Sequence, residues 1–394
     1  MFLEVPLNIL LLSQFFSTTR GGGEYIFSLV ARNLAKDNNR VFVITNRIEN
    51  EDYQDINNIK ITFVQPTLQY KGGLPPRFSD NIRYSINAIK QGLKIIKQEK
   101  IDVIHSNNFA PALAGSILSS ITSKPHITTV HDVFSLCGKN YWKKWGQQSD
   151  VSRRNVLLAP FFEKLMIKLR YNCIHTVSEA TRDDLLKFGA TKPIHVIHNS
   201  IETGKTINAT PNPLQFVYVG RLVFYKNLEV AIKAIDIIKN TEPKIKLVII
   251  GSGPHRKTLE DLVRKLNLEQ NIEFKGYVTS EEKSKTIAES NALIFPSLCE
   301  GFGLVILEAY EQKRPVLVSD IKPMSDIVSN GVTGFVLDPH DEKAWAQALL
   351  DIIKNPAKAT AIGQNGYQRL TTLYNQESMY QKIIKMYQKV IQKN

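Results

Sequence analysis

The chain has 394 residues, of which 43% are hydrophobic and 22% charged. This composition excludes collagen-like and intrinsically disordered proteins, and the length indicates two domains. No apolar run approaches the ~20 residues of a membrane-spanning helix, and we interpret residues 1–16 as a buried strand rather than a signal peptide. The net charge of +13 favours an anionic partner, with nucleic acid, anionic lipid and phosphorylated small molecules all left open. The three cysteines lack metal-site spacing and suit a cytoplasmic protein.

Short runs rich in valine and isoleucine alternate with amphipathic stretches, a rhythm typical of parallel sheets covered by helices on both faces. Helices are expected at, for example, Glu24–Ala35, Asn227–Lys239 and Glu342–Ile353. The predicted strands are Asn8–Phe15, Arg40–Thr45, Ile59–Val64, Asp102–His105, His126–Val130, Cys173–Val177, His195–Ile197, Phe216–Val219, Lys246–Ile250, Ile272–Phe274, Ala292–Phe295, Val316–Val318 and Gly334–Leu337. The predicted fold class is α/β with two doubly wound parallel sheets, which bind ligands at the carboxyl ends of their strands.

The polar stretch Glu202–Gln215 carries two prolines and no periodicity, so it is interpreted as a linker. We therefore predict a first domain at 1–202, a linker at 203–215 and a second domain at 216–373. The amphipathic tail, 374–394, has no strand after it and is expected to pack back on the first domain.

Two loops of the first domain carry candidate site residues. Gly22 and Gly23 lie between the first strand and the first helix, where free N–H groups can meet a phosphate. The next residue, Glu24, has an equally simple interpretation as a first-turn acid that stabilises the helix dipole. His131 and Asp132 follow a strand directly. The histidine is either a buried structural residue or a ligand-binding one whose ring Asp132 orients.

In the second domain, Arg221 and Lys226 lie on a loop between a strand that ends at Gly220 and a helix. Two cations beside a helix N-terminus form an anion site that fits a diphosphate, although an isolated pair is more often two solvated surface charges. The next strand is followed by Gly251-Ser252-Gly253-Pro254. This turn lets the backbone approach a ligand, or is simply tight with proline at the helix start.

The segment "PSLCEGFGLVILEA" places Glu300 after a strand and Glu308 eight residues later on a helix. The glycines between them allow a sharp turn that leaves N–H groups near Phe302–Leu304 free at the helix start. Carboxylates that accept from hydroxyl groups, together with N–H groups that donate, can hold a sugar ring and a ribose. A helix-dipole acid plus one surface glutamate is the plainer alternative.

As an ordered set, "GRL…KN", "GSGP" and "EGFGLVILE" resemble the retaining glycosyltransferases of family 4, over most of the second domain and more thinly over the first. The resemblance implies the GT-B fold, two Rossmann-like domains facing a central cleft. It implies that Arg221 and Lys226 neutralise a leaving diphosphate, that Glu300 contacts the donor sugar and that Glu308 holds the ribose. It implies catalytic roles for His131, Arg221, Lys226 and Glu300. It implies donor binding by Gly22, Gly23, Asn199, Gly220, Gly251, Gly276, Phe302, Gly303, Leu304 and Glu308, and acceptor binding by Glu24.

Two features qualify this resemblance. Ser200 and Glu202 depart from the family's pattern after Asn199, so only that asparagine is carried over. The chain has no Asp-x-Asp pair, the motif with which metal-dependent transferases grip Mg²⁺ or Mn²⁺, so we expect no metal site and no essential cofactor. The family is described as attacking on the donor's own face without a side-chain nucleophile. Two alternatives stay open: a sugar-nucleotide epimerase of the same fold, and a catalytically silent donor-binding partner.

Basic and aromatic residues are interleaved between Gly138 and Arg170, opposed only by Asp150 and Glu163. Such a stretch suits an anionic membrane face, although a solvated loop followed by an ordinary packed helix is also possible. The expected partners are a nucleotide-sugar donor, a saccharide or lipid-linked acceptor and an anionic membrane surface. Nucleic acid is not expected, because no nucleic-acid module is visible. The predicted location is cytoplasmic, with peripheral attachment to the inner face of the membrane.

Overall fold

A computed structural model of the chain describes residues 6–17, 21–49, 53, 58–69, 78–138, 141–148 and 153–393, without the side chains of 153–155. The described chain forms two compact units. Unit 1 comprises residues up to Asn199 together with those from Glu377 onward, and unit 2 comprises Ser200–Gln376.

Unit 1 is built on a seven-stranded parallel sheet in the order β3-β2-β1-β4-β5-β6-β7. The central strand β1 consists almost entirely of buried apolar residues, because helices cover both of its faces. The strands are β1 Asn8–Leu12, β2 Arg40–Ile48, β3 Ile59–Leu68, β4 Val103–Ser106, β5 His126–Val130, β6 Cys173–Thr176 and β7 Ile194–Val196. The helices are α1 Gly23–Lys36, α2 Phe78–Glu99, α3 Ala110–Thr122, α4 Tyr141–Gln148, α5 Arg153–Ile167 and α6 Glu179–Lys187, with α14 Gln376–Gln392 added from the end of the chain.

Unit 2 contains a six-stranded parallel sheet in the order β10-β9-β8-β11-β12-β13. Its strands are β8 Asn212–Val219, β9 Lys246–Ile250, β10 Ile272–Gly276, β11 Ser290–Phe295, β12 Val316–Ser319 and β13 Gly334–Leu337. Its helices are α7 Leu228–Ile238, α8 Arg256–Lys265, α9 Ser280–Glu289, α10 Leu304–Glu311, α11 Met324–Ile327, α12 Glu342–Lys354 and α13 Pro356–Leu373. The prediction of two doubly wound parallel sheets is confirmed. β8 begins at Asn212, inside the segment predicted as linker.

The last helix, α14, is anchored to unit 1 by two tyrosines. The Tyr387 hydroxyl lies 2.6 Å from Nδ1 of His105, and the Tyr380 hydroxyl lies 2.5 Å from Oδ2 of Asp37. Both tyrosines are buried, so the helix covers apolar surface as well as making these polar contacts. No helix of the described residues is long and apolar enough to cross a membrane.

Unit 1 holds a group of histidines in or directly after strands β4, β5 and β6. The Thr129 hydroxyl joins two of them, at 2.7 Å from Nε2 of His105 and 2.8 Å from Nδ1 of His175. Burial lowers the pKa of His126 and His131 to about 3 and that of His175 to about 4. These rings are therefore neutral in the folded protein at neutral pH.

Acid is expected to destabilise the protein through these histidines. As pH falls below about 6.5 the unfolded chain takes up protons that the folded chain excludes, so stability drops by about 1.4 kcal/mol per pH unit for each such histidine, until the lowered pKa values are reached. Urea unfolding between about pH 7 and pH 4.5 measures this slope. His126→Gln should flatten it by about one proton. A stability that stayed level across this range would contradict the burial of neutral histidines.

Candidate functional site

The loop after β8 holds its two cations in defined positions. The Tyr218 hydroxyl donates to the Arg221 carbonyl oxygen at 2.9 Å, and the Arg221 guanidinium donates to the Tyr225 hydroxyl at 2.8 Å. Lys226 is 8% exposed, and its Nζ lies 5.0 Å from the centre of the Phe295 ring. A lysine this buried needs a partner for its charge.

That partner is Glu300, whose Oε1 accepts from Lys226 Nζ. Glu300 lies in the loop that follows β11, and β11 is the neighbour of β8, so the topology of the sheet brings these two predicted residues together. The side chains are 10% and 12% exposed, which makes the pair much less screened than a surface salt bridge. The structure thus places a cation and a carboxylate in contact at one edge of the sheet.

Glycines are required where the loops after β8 and β9 meet. Gly251 has φ +128°, and a Cβ there would lie 1.9 Å from the Gly220 carbonyl oxygen. A Cβ at Gly253 would lie 2.2 Å from the Leu222 carbonyl oxygen. The Gly251 N–H donates to the Gly276 carbonyl oxygen at 2.8 Å, which joins the loop to the end of β10. Only residues without a side chain allow this close approach of three strand ends.

The predicted turn between Glu300 and Glu308 is present at Gly303. Gly303 has φ +93° and precedes α10, while the neighbouring Phe302 is buried with its ring 5.8 Å from that of Tyr374. Glu308 lies on α10, and its Oε1 accepts from Lys283 Nζ at 2.7 Å. Sequence reasoning missed Lys283, because a lysine on an amphipathic helix carries no signal of its own.

In unit 1, the glycine turn and His131 are neighbours. Gly22 precedes α1 without a side-chain cap, and a Cβ at Gly23 would lie 2.8 Å from Nε2 of His131. This Nε2 is buried and has no hydrogen-bond partner among the described residues. Glu24 lies in the first turn of α1, half-buried, and the buried Asn199 has an Oδ1 without a described partner. The roles predicted for these residues stay predictions.

The basic and aromatic stretch is only partly turned outward. Tyr141 is buried, the Trp142 indole donates to the Ser135 hydroxyl at 3.0 Å, and Phe161 is 62% exposed. Glu163, predicted to oppose the basic charge, is instead buried, and its carboxylate accepts from the backbone N–H of Phe134 at 2.7 Å. Burial raises the pKa of this carboxyl group. Lys139 and Asp150 lie outside the described residues.

Two family models together match residues 20–369 of the chain. The model described as Glycosyltransferase Family 4 matches residues 20–205, and the model described as Glycosyl transferases group 1 matches residues 201–369. An uncharacterised glycosyltransferase of Methanocaldococcus jannaschii is 24% identical over 377 residues, which cover 91% of this chain and 92% of that protein.

Solved structures share the fold. Sucrose-phosphate synthase from Thermosynechococcus elongatus superposes with a TM-score of 0.81 at 20% identity, covering 98% of this chain and 100% of that one. Anabaena HepE in complex with UDP-glucose gives a TM-score of 0.73 at 17% identity, covering 97% and 100%. The solved structures show the GT-B fold, and the two matched models show that the chain belongs to the glycosyltransferases of family 4.

Proposed function

We propose that this protein is a retaining, metal-independent glycosyltransferase that moves a hexose from a nucleotide-diphosphate sugar to a hydroxyl group of a saccharide or lipid-linked acceptor. The observation that carries the proposal is the contact between Lys226 and Glu300 beside Arg221, at the carboxyl ends of neighbouring strands. The cations suit a diphosphate, and the carboxylate suits the hydroxyl groups of the sugar attached to it.

In the proposed reaction, the bond between the anomeric carbon and the diphosphate oxygen breaks, and its electron pair leaves with the phosphate. Arg221 and Lys226 stabilise the negative charge that develops there. The acceptor oxygen attacks on the same face, and its proton passes to the departing phosphate. Glu300 positions the sugar, while the neutral His131, with its unpartnered Nε2, contacts the donor or the intermediate. Glu308 and Gly276 would receive the ribose and the base.

The nucleotide is tested first with UDP, because HepE was solved with UDP-glucose. Thermal stabilisation is measured with UDP-, GDP- and ADP-sugars, and release of the nucleoside diphosphate is then followed with and without a chelator. We expect the nucleotide sugar of one base to stabilise the protein, and its nucleoside diphosphate to be released both with and without the chelator. No stabilisation by any of the three would contradict the proposal. An epimerised nucleotide sugar without acceptor would favour the epimerase alternative, and binding without turnover would favour the silent partner.

We also propose that unit 1, the predicted acceptor-binding unit, meets an anionic membrane through one of its surfaces. We name this surface the α2–α5 surface. Half of the exposed large hydrophobic side chains among the described residues lie on these two helices, and the rings of Phe78 and Phe162 connect them at 5.0 Å. The surface consists of Phe78, Ile82, Ile86, Leu157, Leu158, Phe161 and Leu165 with the exposed cations Arg83, Lys90, Lys164 and Lys168.

The charge of this surface supports an anionic membrane as its partner. The acids of α2 and α5 are Asp80 and Glu163, both buried, and Glu99, which pairs with Arg40 at the far end of α2. The outward side of the α2–α5 surface is therefore apolar and basic, a combination that binds anionic lipid headgroups and the acyl boundary beneath them.

Leu157→Asp is expected to lower binding to vesicles containing phosphatidylserine by about 10-fold, because the change removes an apolar side chain and adds a repelled charge. Leu186→Asp is the matched control, since that leucine is also exposed but lies on α6. Sedimentation with and without phosphatidylserine, at low and high salt, provides the measurement. Equal binding by both variants, or binding that ignores the anionic lipid, would contradict this partner.

A further inference from the structure

Residues 300–304, which the proposed function assigns to the donor sugar, are named the donor turn. Just before this turn, the Leu298 N–H donates to the Tyr225 carbonyl oxygen at 2.7 Å, which ties the loop after β11 to the loop after β8. Within the turn, Phe302 is 4% exposed, and its ring lies 5.8 Å from that of Tyr374 with 74° between the planes. Edge-to-face contacts of this kind are favourable. The Phe302 side chain therefore anchors the donor turn on Tyr374.

Tyr374 is itself held at the end of a helix. It follows α13 directly, and its N–H donates to the Leu370 carbonyl oxygen at 3.1 Å. Burial raises the pKa of the Tyr374 hydroxyl, and the neighbouring Arg369 guanidinium opposes that rise. The last carbonyl groups of a helix have no partner within the helix. The carbonyl oxygen of the buried Tyr374 therefore needs a donor from another part of the chain.

The hydroxyl group of Ser200 is that donor. The side chain of Ser200 is fully buried, and its Oγ lies 2.6 Å from the Tyr374 carbonyl oxygen, 174 positions later in the sequence. The Ile201 carbonyl oxygen is a second acceptor at 3.3 Å. A hydroxyl group has one hydrogen to donate, so the nearer oxygen is its main acceptor. Ser200 also departs from the family's pattern, so its role has to be inferred from the contacts of this chain.

We infer that Ser200 is a positioning residue for the donor sugar and acts through Tyr374 and Phe302. The Ser200 hydroxyl fixes the Tyr374 backbone, and the Tyr374 ring supports the Phe302 ring. Loss of the hydroxyl would leave a buried carbonyl group without its donor, and the end of α13 would have to move to find another. The donor turn would then lose its fixed support. The inference deepens the proposed function and rests on it.

Ser200→Ala separates the sugar from the diphosphate. The diphosphate is assigned to Arg221 and Lys226 on a different loop, so the affinity for UDP, GDP or ADP should not change. Release of the nucleoside diphosphate from UDP-glucose, GDP-glucose or ADP-glucose should become about 10-fold slower, because the sugar is no longer held in its reactive position. Calorimetric titration of the three diphosphates, together with release rates at saturating donor, measures the two effects.

Ser290→Ala is the matched control. Ser290 is also fully buried in unit 2, and its Oγ donates to the Thr286 carbonyl oxygen at 2.7 Å. It is the first residue of β11, at the opposite end of this strand from the donor turn. Both variants take a hydroxyl donor from a buried carbonyl group, so both should melt below the wild type. Only Ser200→Ala should slow release. Equal release rates for the two variants would overturn the positioning role.

A double-mutant cycle with Phe302→Leu tests the route of the effect. If Ser200 acts through the Phe302 ring, the double variant should release the diphosphate no more slowly than Phe302→Leu alone. Effects that multiply would show that Ser200 does not act through this ring, which would overturn the inference.

Hydrogen exchange of the free protein gives a readout that needs no substrate. Ser200→Ala should speed exchange in the segment 301–305 by about 10-fold and leave the segment 221–226 as in the wild type. Unchanged exchange at 301–305 would contradict the positioning role, even in a protein that binds a nucleoside diphosphate normally. Failure of the wild-type protein to bind UDP, GDP or ADP would instead contradict the proposed function.

Discussion

Glu300→Gln is expected to lower sugar transfer roughly 100-fold, because a charged hydrogen-bond acceptor for the donor sugar is lost at the reacting centre. The substitution also leaves Lys226, which is 8% exposed, without its anionic partner. Since the amide keeps the shape of the carboxylate, binding of the nucleoside diphosphate should change much less than turnover. Initial rates at saturating donor, together with calorimetric titration of the diphosphate, measure the two effects separately.

Glu289→Gln is the matched control for this prediction. Glu289 is a more exposed acid on α9, with only a long contact to Lys285 at 3.9 Å. Its replacement should leave transfer unchanged. If the Glu300 variant transferred sugar at the wild-type rate, the assignment of this carboxylate to the donor sugar would be wrong.

Gly251→Ala is expected to destabilise unit 2 by about 3 kcal/mol or more, since overpacking and a positive φ both penalise a side chain there. The new methyl group would meet a backbone atom, the Gly220 carbonyl oxygen at 1.9 Å, and a backbone atom has no rotamer by which to move away. Relief would require separation of the loop after β8, which carries Arg221, from the loop after β9, which carries Gly251 and Gly253. Loss of nucleotide-dependent stabilisation should therefore accompany the loss of stability.

Gly331→Ala separates the two causes. Gly331 also has a positive φ, +73°, but a Cβ there would meet nothing within 4 Å. Its substitution should cost about 1 kcal/mol, from backbone conformation alone. Thermal melting of both variants gives the comparison, and equal melting temperatures would show that the close approach of the loops after β8 and β9 is not a constraint.

The architecture could be predicted from the sequence because the strands of a parallel sheet that is covered on both faces consist of short apolar runs. All of the predicted strands are present, with ends that shift by a few residues. β3 ends four residues later than predicted, and β8 begins four residues earlier. The first residues of β8, Asn212 and Pro213, are polar or turn-forming and exposed, and were therefore assigned to the linker. Periodicity reports burial, so it fails where a strand extends beyond the core.

The candidate site could be predicted in part. Motif spacing located Arg221, Lys226 and Glu300, but the pairing of the last two follows from the adjacency of β8 and β11, which spacing alone does not contain. The residues that support the site were not predicted, because nothing local distinguishes them. They are Tyr218, Tyr225 and Lys283.

The sequence also did not show which side chains point into the core and which point to solvent. Tyr141, Trp142 and Glu163 were all assigned to a basic, membrane-facing stretch, yet Tyr141 and Glu163 are buried and Trp142 bonds Ser135. Composition drew attention to residues 138–170, but only the fold distinguishes the buried Tyr141 and Glu163 from the exposed Leu157 and Phe161. The other part of the α2–α5 surface, Phe78–Ile86, lies far from this stretch in sequence, and nothing in its sequence indicated that it shares a surface with α5.

Hydrogen exchange of the full chain with and without UDP, GDP or ADP tests the proposed donor site most directly. One of these diphosphates should slow exchange in three segments together: 220–228 after β8, 251–256 after β9 and 299–308 around α10. Slowed exchange confined to other segments, or none with any of the three, would contradict the assignment of Arg221, Lys226, Glu300 and Glu308 to one donor site.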